Sequence, residues 1–272
     1  EAKALAKINH PNVVTVYALE ELQGTFYLSM ELVRGPNLKQ VLLSSVYTLE
    51  ELYSYFGQLA EGLEAIHSAQ VIHRDIKPAN IFLPSGSKVK IGDFGLAQID
   101  SGAENSITGT GQVLGTLAYI APETVLQCEH SPLSDVFSLG LVFFELLSGF
   151  NPLKGSNDLE TAENIRKKEI RFPEALHLAL PWELRHLVEK MVARDPAERP
   201  GARKIADVLR QLGAPQGPPA GEIVNREEVR SQLEKIGVFS PFDRARFTSA
   251  AAALAAAEIE KTVSLASAPG IP

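Results

Sequence analysis

Between Val71 and Gln98 the chain reads VIHRDIKPANIFLPSGSKVKIGDFGLAQ, gathering His73, Arg74, Asp75, Lys77, Asn80 and Asp93 among apolar residues. A cluster of mixed charge is ordinarily a solvated loop. Here the polar residues sit beside Val71, Ile72, Ile81, Phe82, Ile91 and Phe94, whose burial is favourable, so a core must hold the polar groups in place. Asp75 offers a carboxylate that can accept a proton, and Asn80 and Asp93 offer hard oxygen donors of the kind that suits Mg²⁺. Lys77 adds a cation beside them.

The elements that must position these groups follow from periodicity. Leu5 and Ile8 read as one face of a helix tail that NHP stops, because a residue before proline is pushed out of the helical region. Val13 to Leu19 and Thr25 to Met30, rich in β-branched and aromatic residues, predict a hairpin. Thr48 and Glu51 form a capping box ahead of Leu49, Leu52, Phe56, Leu59, Leu63 and Ile66, spaced by threes and fours, which predicts a helix with one buried stripe. Asn80 to Leu83 and Lys88 to Ile91, split by PSGS, predict a second small hairpin. Asp135 to Leu147 is apolar nearly all round and ends at Gly149, so that helix belongs inside a helical layer. Three more helices are expected over Asp158 to Lys168, Pro181 to Val192 and Ala202 to Leu212. GAPQGPPAG, Gly213 to Gly221, is a linker, since proline and glycine carry neither helix nor sheet. Beyond it, a capping box at Asn225 and Glu228 and an Ala-rich run predict two helices.

Composition bounds the function. With 272 residues, 45% of them hydrophobic, the chain can bury a full core. A net charge of −7 without a basic stripe argues against nucleic acid. The single Cys128 has no internal partner, which suits a reducing cytoplasm. The most apolar segment, Val136 to Leu147, is well short of the roughly 20 residues a bilayer crossing needs.

HRDIKPAN, DFG and GTLAYIAPE, in this order and spacing, resemble the catalytic loop, metal-binding turn and substrate-docking strand of eukaryotic-type (Hanks-type) Ser/Thr protein kinases of bacterial kind, over about Glu1 to Leu212. The resemblance implies an α+β protein-kinase fold and ATP with Mg²⁺ as cofactors. It makes Asp75 the acceptor and orienter of the substrate hydroxyl, Lys77 the cation on the γ-phosphate, and Asn80 and Asp93 the metal ligands. His73 is implied to be a core histidine packing on Phe94, with Leu5 and Val16 stacked in the same spine. Glu123 and Arg199 match a buried ion pair, and Asp135 the residue that ties the buried helix to the catalytic loop backbone. Met30 falls at the gatekeeper position, and backbone groups of Glu31 and Val33 would face adenine. In the loop Asp100 to Gly115, Thr108 and Thr110 match activating threonines, for which Arg74 is the charge partner once phosphorylated. Thr116 matches the docking-strand threonine that contacts Asp75 and Lys77.

The family also has a Gly-rich turn over the phosphates and a strand lysine paired with a helix glutamate. Neither the turn nor the lysine appears, and Glu1 falls where that glutamate belongs. The expectation is therefore residues 1–34 as a small-lobe remnant, 35–212 as a complete large lobe, 213–221 as linker and 222–272 as a helical extension. Uncovered small-lobe strands would favour self-association, and nucleotide binding by this chain alone would be weak. Protein substrates with Ser or Thr hydroxyls are the expected partners. A pseudokinase-like binding or scaffold module is the alternative, and a small-molecule phosphotransferase is disfavoured by GTLAYIAPE.

Overall fold

The computed structural model describes residues 5–22, 25–42, 47–84, 88–94, 117–177, 180–213 and 223–224. Strands β1 (Val16–Leu22) and β2 (Thr25–Met30) form an antiparallel hairpin with Val16 opposite Met30 and Leu22 opposite Thr25. The first strand starts three residues later than the β-branched run begins, because Val13 and Val14 are used elsewhere. Val13 bridges Ile91 in parallel, Val14 N donates to Ile91 O at 2.8 Å, and Ile91 N donates to Asn12 O at 2.8 Å. The strand then runs on through Glu20 and Glu21, which solvent tolerates at that edge. Tyr17, Leu22 and Tyr27 of this hairpin remain 63%, 64% and 55% exposed.

After a short helix α1 (Leu38–Val41), strand β3 (Tyr47–Thr48) leads into α2 (Leu49–Ser68). The capping box forms: Glu51 N donates to Thr48 Oγ1 at 3.1 Å and Thr48 N to Glu51 Oε2 at 2.8 Å. The stripe Leu49, Leu52, Phe56, Leu59, Leu63 and Ile66 is buried. Strands β4 (Ile81–Phe82) and β5 (Lys90–Ile91) make the second hairpin, shorter than its apolar runs. Helices α3 (Pro122–Gln127), α4 (Pro132–Ser148), α5 (Asp158–Lys167), α6 (Trp182–Met191) and α7 (Ala202–Leu212) complete the layer. Ile223–Val224 pair with Tyr47–Thr48 as a strand, β6, ahead of the expected C-terminal helices, which lie outside the described residues.

The core is built on α4. Ser131 caps it, Gly149 closes it in a left-handed conformation, and Val136, Leu139, Leu141, Val142, Phe143 and Leu147 are fully buried. Phe143 stacks on Phe56 of α2 with centroids 3.9 Å apart, and Phe144 on Phe172 at 4.3 Å. A Cβ at Gly140 would lie 2.8 Å from side-chain atoms of Met191 and Val192, so the close approach of α4 to α6 requires glycine there. Helix α7 packs along α2. No helix among the described residues is long and apolar enough to cross a membrane.

One ion pair crosses this layer. Arg199 meets both oxygens of Glu123, Nη1 to Oε1 at 2.6 Å and Nη2 to Oε2 at 2.8 Å, with the Arg199 side chain fully buried. The guanidinium also donates to the carbonyls of Ala193, Leu133 and Arg194 and lies 4.8 Å from the Phe137 ring centroid. Burying two charges gains little net stability, but removing one partner leaves the other uncompensated. Arg199→Ala is expected to lower unfolding free energy by about 3–5 kcal/mol, read from urea denaturation. A Glu123→Leu, Arg199→Met double variant is expected to recover only part of it, because the three carbonyls lose their donors; full recovery would contradict this account.

Candidate active site

The loop from His73 to Asn80 takes its shape from Asp135, in the first turn of α4 and 2% exposed. Asp135 Oδ2 accepts from the His73 amide at 2.8 Å and meets His67 Nε2 at 3.0 Å, while Oδ1 accepts from the Arg74 amide at 2.9 Å. The two amide bonds hold Arg74 in the left-handed region, φ 67°. Asp93 is also left-handed, φ 55°. A non-glycine residue there costs on the order of 1–3 kcal/mol, and such strain persists only where surrounding structure over-determines it.

His73 is 1% exposed, and its ring packs on Phe94 with centroids 4.8 Å apart. Burial pushes its pKa down, against the opposing pull of Asp135, Asp75 and Asp93. The neutral ring then has one consistent tautomer: Nε2–H donates to Gly92 O at 3.2 Å and Nδ1 accepts from the Asp75 amide at 3.3 Å. The imidazole thus bridges the backbone just before Asp93 to the backbone of Asp75. Leu5 and Val16 are buried in the same apolar cluster, against which Phe94 packs.

The polar groups converge. Asn80 Nδ2 donates to Asp75 O at 2.9 Å, Asp75 Oδ2 at 2.8 Å and Asp93 O at 3.3 Å. Lys77 Nζ lies 2.7 Å from the same Asp75 Oδ2. Both side chains of that pair are about one-fifth exposed, at 20% and 21%, so they reach solvent from a fixed base. With its nitrogen committed to Asp75, the Asn80 amide has only its oxygen to offer a cation. An amide oxygen and the Asp93 carboxylate fit Mg²⁺, which takes few protein ligands and keeps waters and phosphate oxygens for the rest. Consistent with so sparse a donor set, no cluster of three or more His, Cys, Asp or Glu suited to a metal occurs among the described residues.

Glu31 and Val33 follow directly on β2. The Glu31 carboxylate is turned away from any base-binding role: Lys90 Nζ sits 2.7 and 2.6 Å from its two oxygens, and the Thr15 amide donates to it at 3.2 Å. These contacts pull its pKa below the usual carboxylate value against the desolvation that opposes them. The Glu31 amide is used by Thr15 O at 2.8 Å, leaving its carbonyl as the backbone group available to a ligand. Met30 is 38% exposed. Lys90 stands three residues before Asp93, so its pairing with Glu31 fastens the segment after β2 to β5, which leads into Asp93.

The segment Leu117–Tyr119 is anchored to α4 and to the turn that follows it. Ser138 Oγ donates to Tyr119 O at 2.7 Å, and Asn151 Nδ2 to Ala118 O at 3.2 Å. Glu1, Thr108, Thr110 and Thr116 lie outside the described residues.

Several organising residues gave no signal in the sequence. His67 differs in no way from an exposed polar residue of α2 until Asp135 is brought to it. Asn12, 5% exposed, donates to Gln58 Oε1 at 3.0 Å and Val89 O at 2.9 Å, and Gln58 Oε1 also accepts from Val89 N at 3.1 Å. That amide pair, with Asn12 and Gln58 46 residues apart, fixes the backbone at Val89, just before β5, to α2. Lys90 was legible only as a charge inside an apolar run.

Comparison with known proteins agrees with this geometry. The protein kinase domain family matches residues 1–208. The chain is 37% identical over 226 residues to the serine/threonine-protein kinase PknA of Mycobacterium tuberculosis (strain ATCC 25618 / H37Rv), covering 80% of this chain and 51% of that protein. It is 35% identical over 200 residues to PknL of the same strain, covering 73% and 50%. It is 32% identical over 200 residues to PrkC of Bacillus subtilis (strain 168), covering 73% and 31%. The chain thus spans about half or less of the length of these curated relatives. On the extent of the family match and the level of these identities, the chain belongs to the protein kinase family, with that family's α+β fold.

Proposed function

We propose that the protein is an ATP-dependent serine/threonine kinase, with this chain supplying the catalytic and metal-binding residues. One geometry carries the reading: a single amide, Asn80 Nδ2, hydrogen-bonded to both the Asp75 carboxylate and the Asp93 carbonyl. It draws a proton acceptor and a metal-ligating residue to one point. The relatives named as serine/threonine-protein kinases support the same class.

In this reading the acceptor is a protein Ser or Thr hydroxyl. Asp75 orients it and takes its proton as the oxygen bonds to the γ-phosphorus and the bond from phosphorus to the ADP oxygen breaks. Lys77, already paired to Asp75, spreads the charge on the transferring phosphoryl oxygens. Asn80 Oδ1 and the Asp93 carboxylate hold Mg²⁺, which when bound neutralises phosphate charge. The Glu31 carbonyl and the Val33 amide receive the adenine edge, beside Met30. Arg74 answers a phosphate on Thr108 or Thr110, and Thr116 takes the substrate-docking role. Glu1 takes the helix-glutamate role. A cytoplasmic site of action rests on the lone, exposed Cys128. The exposed Tyr17, Leu22 and Tyr27 of the β1–β2 hairpin support self-association through that sheet.

Asp75→Asn in the full-length protein is expected to lower γ-phosphate transfer from Mg·ATP to a serine peptide by about 10²–10⁴-fold, with nucleotide affinity little changed. Transfer at the wild-type rate would remove Asp75 from the chemistry. Asp93→Asn is expected to abolish the dependence of nucleotide affinity on Mg²⁺, read by titration calorimetry with and without the metal; an unaltered dependence would take Asp93 out of the metal site. Sedimentation of this chain at rising concentration should show reversible dimers that Tyr17→Ser with Tyr27→Ser weakens, and a monomer at every concentration would rule out association through the hairpin.

A further inference from the structure

A groove of about 770 Å³ runs along the helical layer where α5 and α6 end, away from the Asp75 cluster. Its floor includes Phe137, Ile165 and Val192, buried side chains of the core, so it is a firm feature rather than a gap between loops. Its walls carry charges of both signs, but the two signs are not equally committed. Every carboxylate there has an internal partner. Glu169 pairs with Arg171 at 2.6 Å, and Glu189 accepts from Phe172 N at 3.1 Å and meets Arg171 at 3.5 Å. Asp195 caps Ala197 N at 2.9 Å, and Glu198 meets Lys190 at 3.6 Å. Arg166, Lys168 and Arg194 line the same groove, are exposed, and form no salt bridge among the described residues. Helix C-termini favour a nearby cation, and Arg166 and Lys167 lie in the last turn of α5 as Lys190 does in that of α6. Lys168 and Arg194 follow those turns and add to the excess.

We propose that this groove docks an acidic segment of a partner protein. The local excess of positive charge stands on a chain of net charge −7. Long polyanions such as nucleic acid, or an anionic membrane, would meet the negative remainder of the surface. A short acidic peptide meets only the groove, since exposed charges beyond about 10 Å are largely screened. The groove is coupled to the site by position: Pro122, beside Glu123, lines it, and Phe137 lies two residues after Asp135 on α4. A substrate held there would present its hydroxyl to the Asp75 cluster at raised effective concentration; that consequence rests on the phosphotransfer reading above, whereas the docking itself does not.

The test is fluorescence anisotropy of a labelled Glu/Asp-rich peptide with this chain, without nucleotide, beside a neutral peptide of the same length. Saturable binding of the acidic peptide alone is expected, weakened at least tenfold by Arg166→Glu, Lys168→Glu and Arg194→Glu together. A control of equal charge change, Lys39→Glu, Arg203→Glu and Lys204→Glu, is expected to alter affinity less than threefold. Equal weakening by both triples would mean unspecific electrostatics and overturn the proposal, as would no binding up to 1 mM peptide. Single-stranded RNA or anionic vesicles binding more tightly than the peptide, with loss in the groove triple, would overturn the choice of partner. In the full-length protein, a serine substrate bearing the acidic segment should show a lowered KM that the groove triple restores, with kcat unchanged. Peptide binding without phosphotransfer would sink the kinase reading and leave docking standing. Phosphotransfer with no effect of the acidic segment on KM or anisotropy would do the reverse.

Discussion

A buried carboxylate at the start of an apolar helix sets the geometry of the site. Asp135 is accommodated at 2% exposure because two amides and an imidazole meet its oxygens and because it lies near the positive end of the α4 dipole. Those bonds do more than satisfy a charge. They fix two successive amides of the His73–Asn80 loop, hold Arg74 at a left-handed φ it would otherwise avoid, and so aim the next side chain, Asp75, out of the core.

The same logic recurs at each level of the molecule. Neutral His73 uses one nitrogen for Gly92 O and the other for the Asp75 amide, joining the two segments that carry the carboxylates. Asn80 does so again with its side-chain nitrogen. Lys90 and Glu31 tie the segment after β2 to the strand before Asp93, and Asn12 with Gln58 ties that strand to α2. Each of these links is polar, partly or fully buried, and makes more than one bond. Such networks are worth their desolvation only when fully satisfied, which makes the arrangement rigid. Phosphoryl transfer asks mostly for positioning, and rigidity of this kind is what positioning needs.

The apolar layer beneath carries no chemistry but decides where the chemistry stands. Helix α4 is buried on every side, with Phe143 on Phe56 and Gly140 allowing α6 to close in. Arg199 and Glu123 then hold the segment after Tyr119 to the turn that precedes α7. The outer face of this layer, where α5 and α6 end, carries more cations than carboxylates, and Arg166, Lys168 and Arg194 there form no salt bridge among the described residues. One scaffold thereby presents a reactive loop on one side and a charged groove on another.

Much of this was readable from residues alone. Capping boxes and three-four spacing fixed α2, all-round hydrophobicity marked α4 as central, and the polar residues of HRDIKPAN and DFG marked the site, because local propensity and burial act over a few neighbouring residues. Strand limits were less legible: Val13 and Val14 have the right character for β1 but bond to Ile91, a choice made by a partner 78 residues away. His67 and Gln58 on α2, and Asn12 in the turn before β1, look like ordinary surface positions until folding brings a carboxylate or a strand against them. The sequence determined which groups could react and which faces must be buried. Only the tertiary structure decided which polar residues hold them still, since a long-range hydrogen bond leaves no mark on the residues beside it.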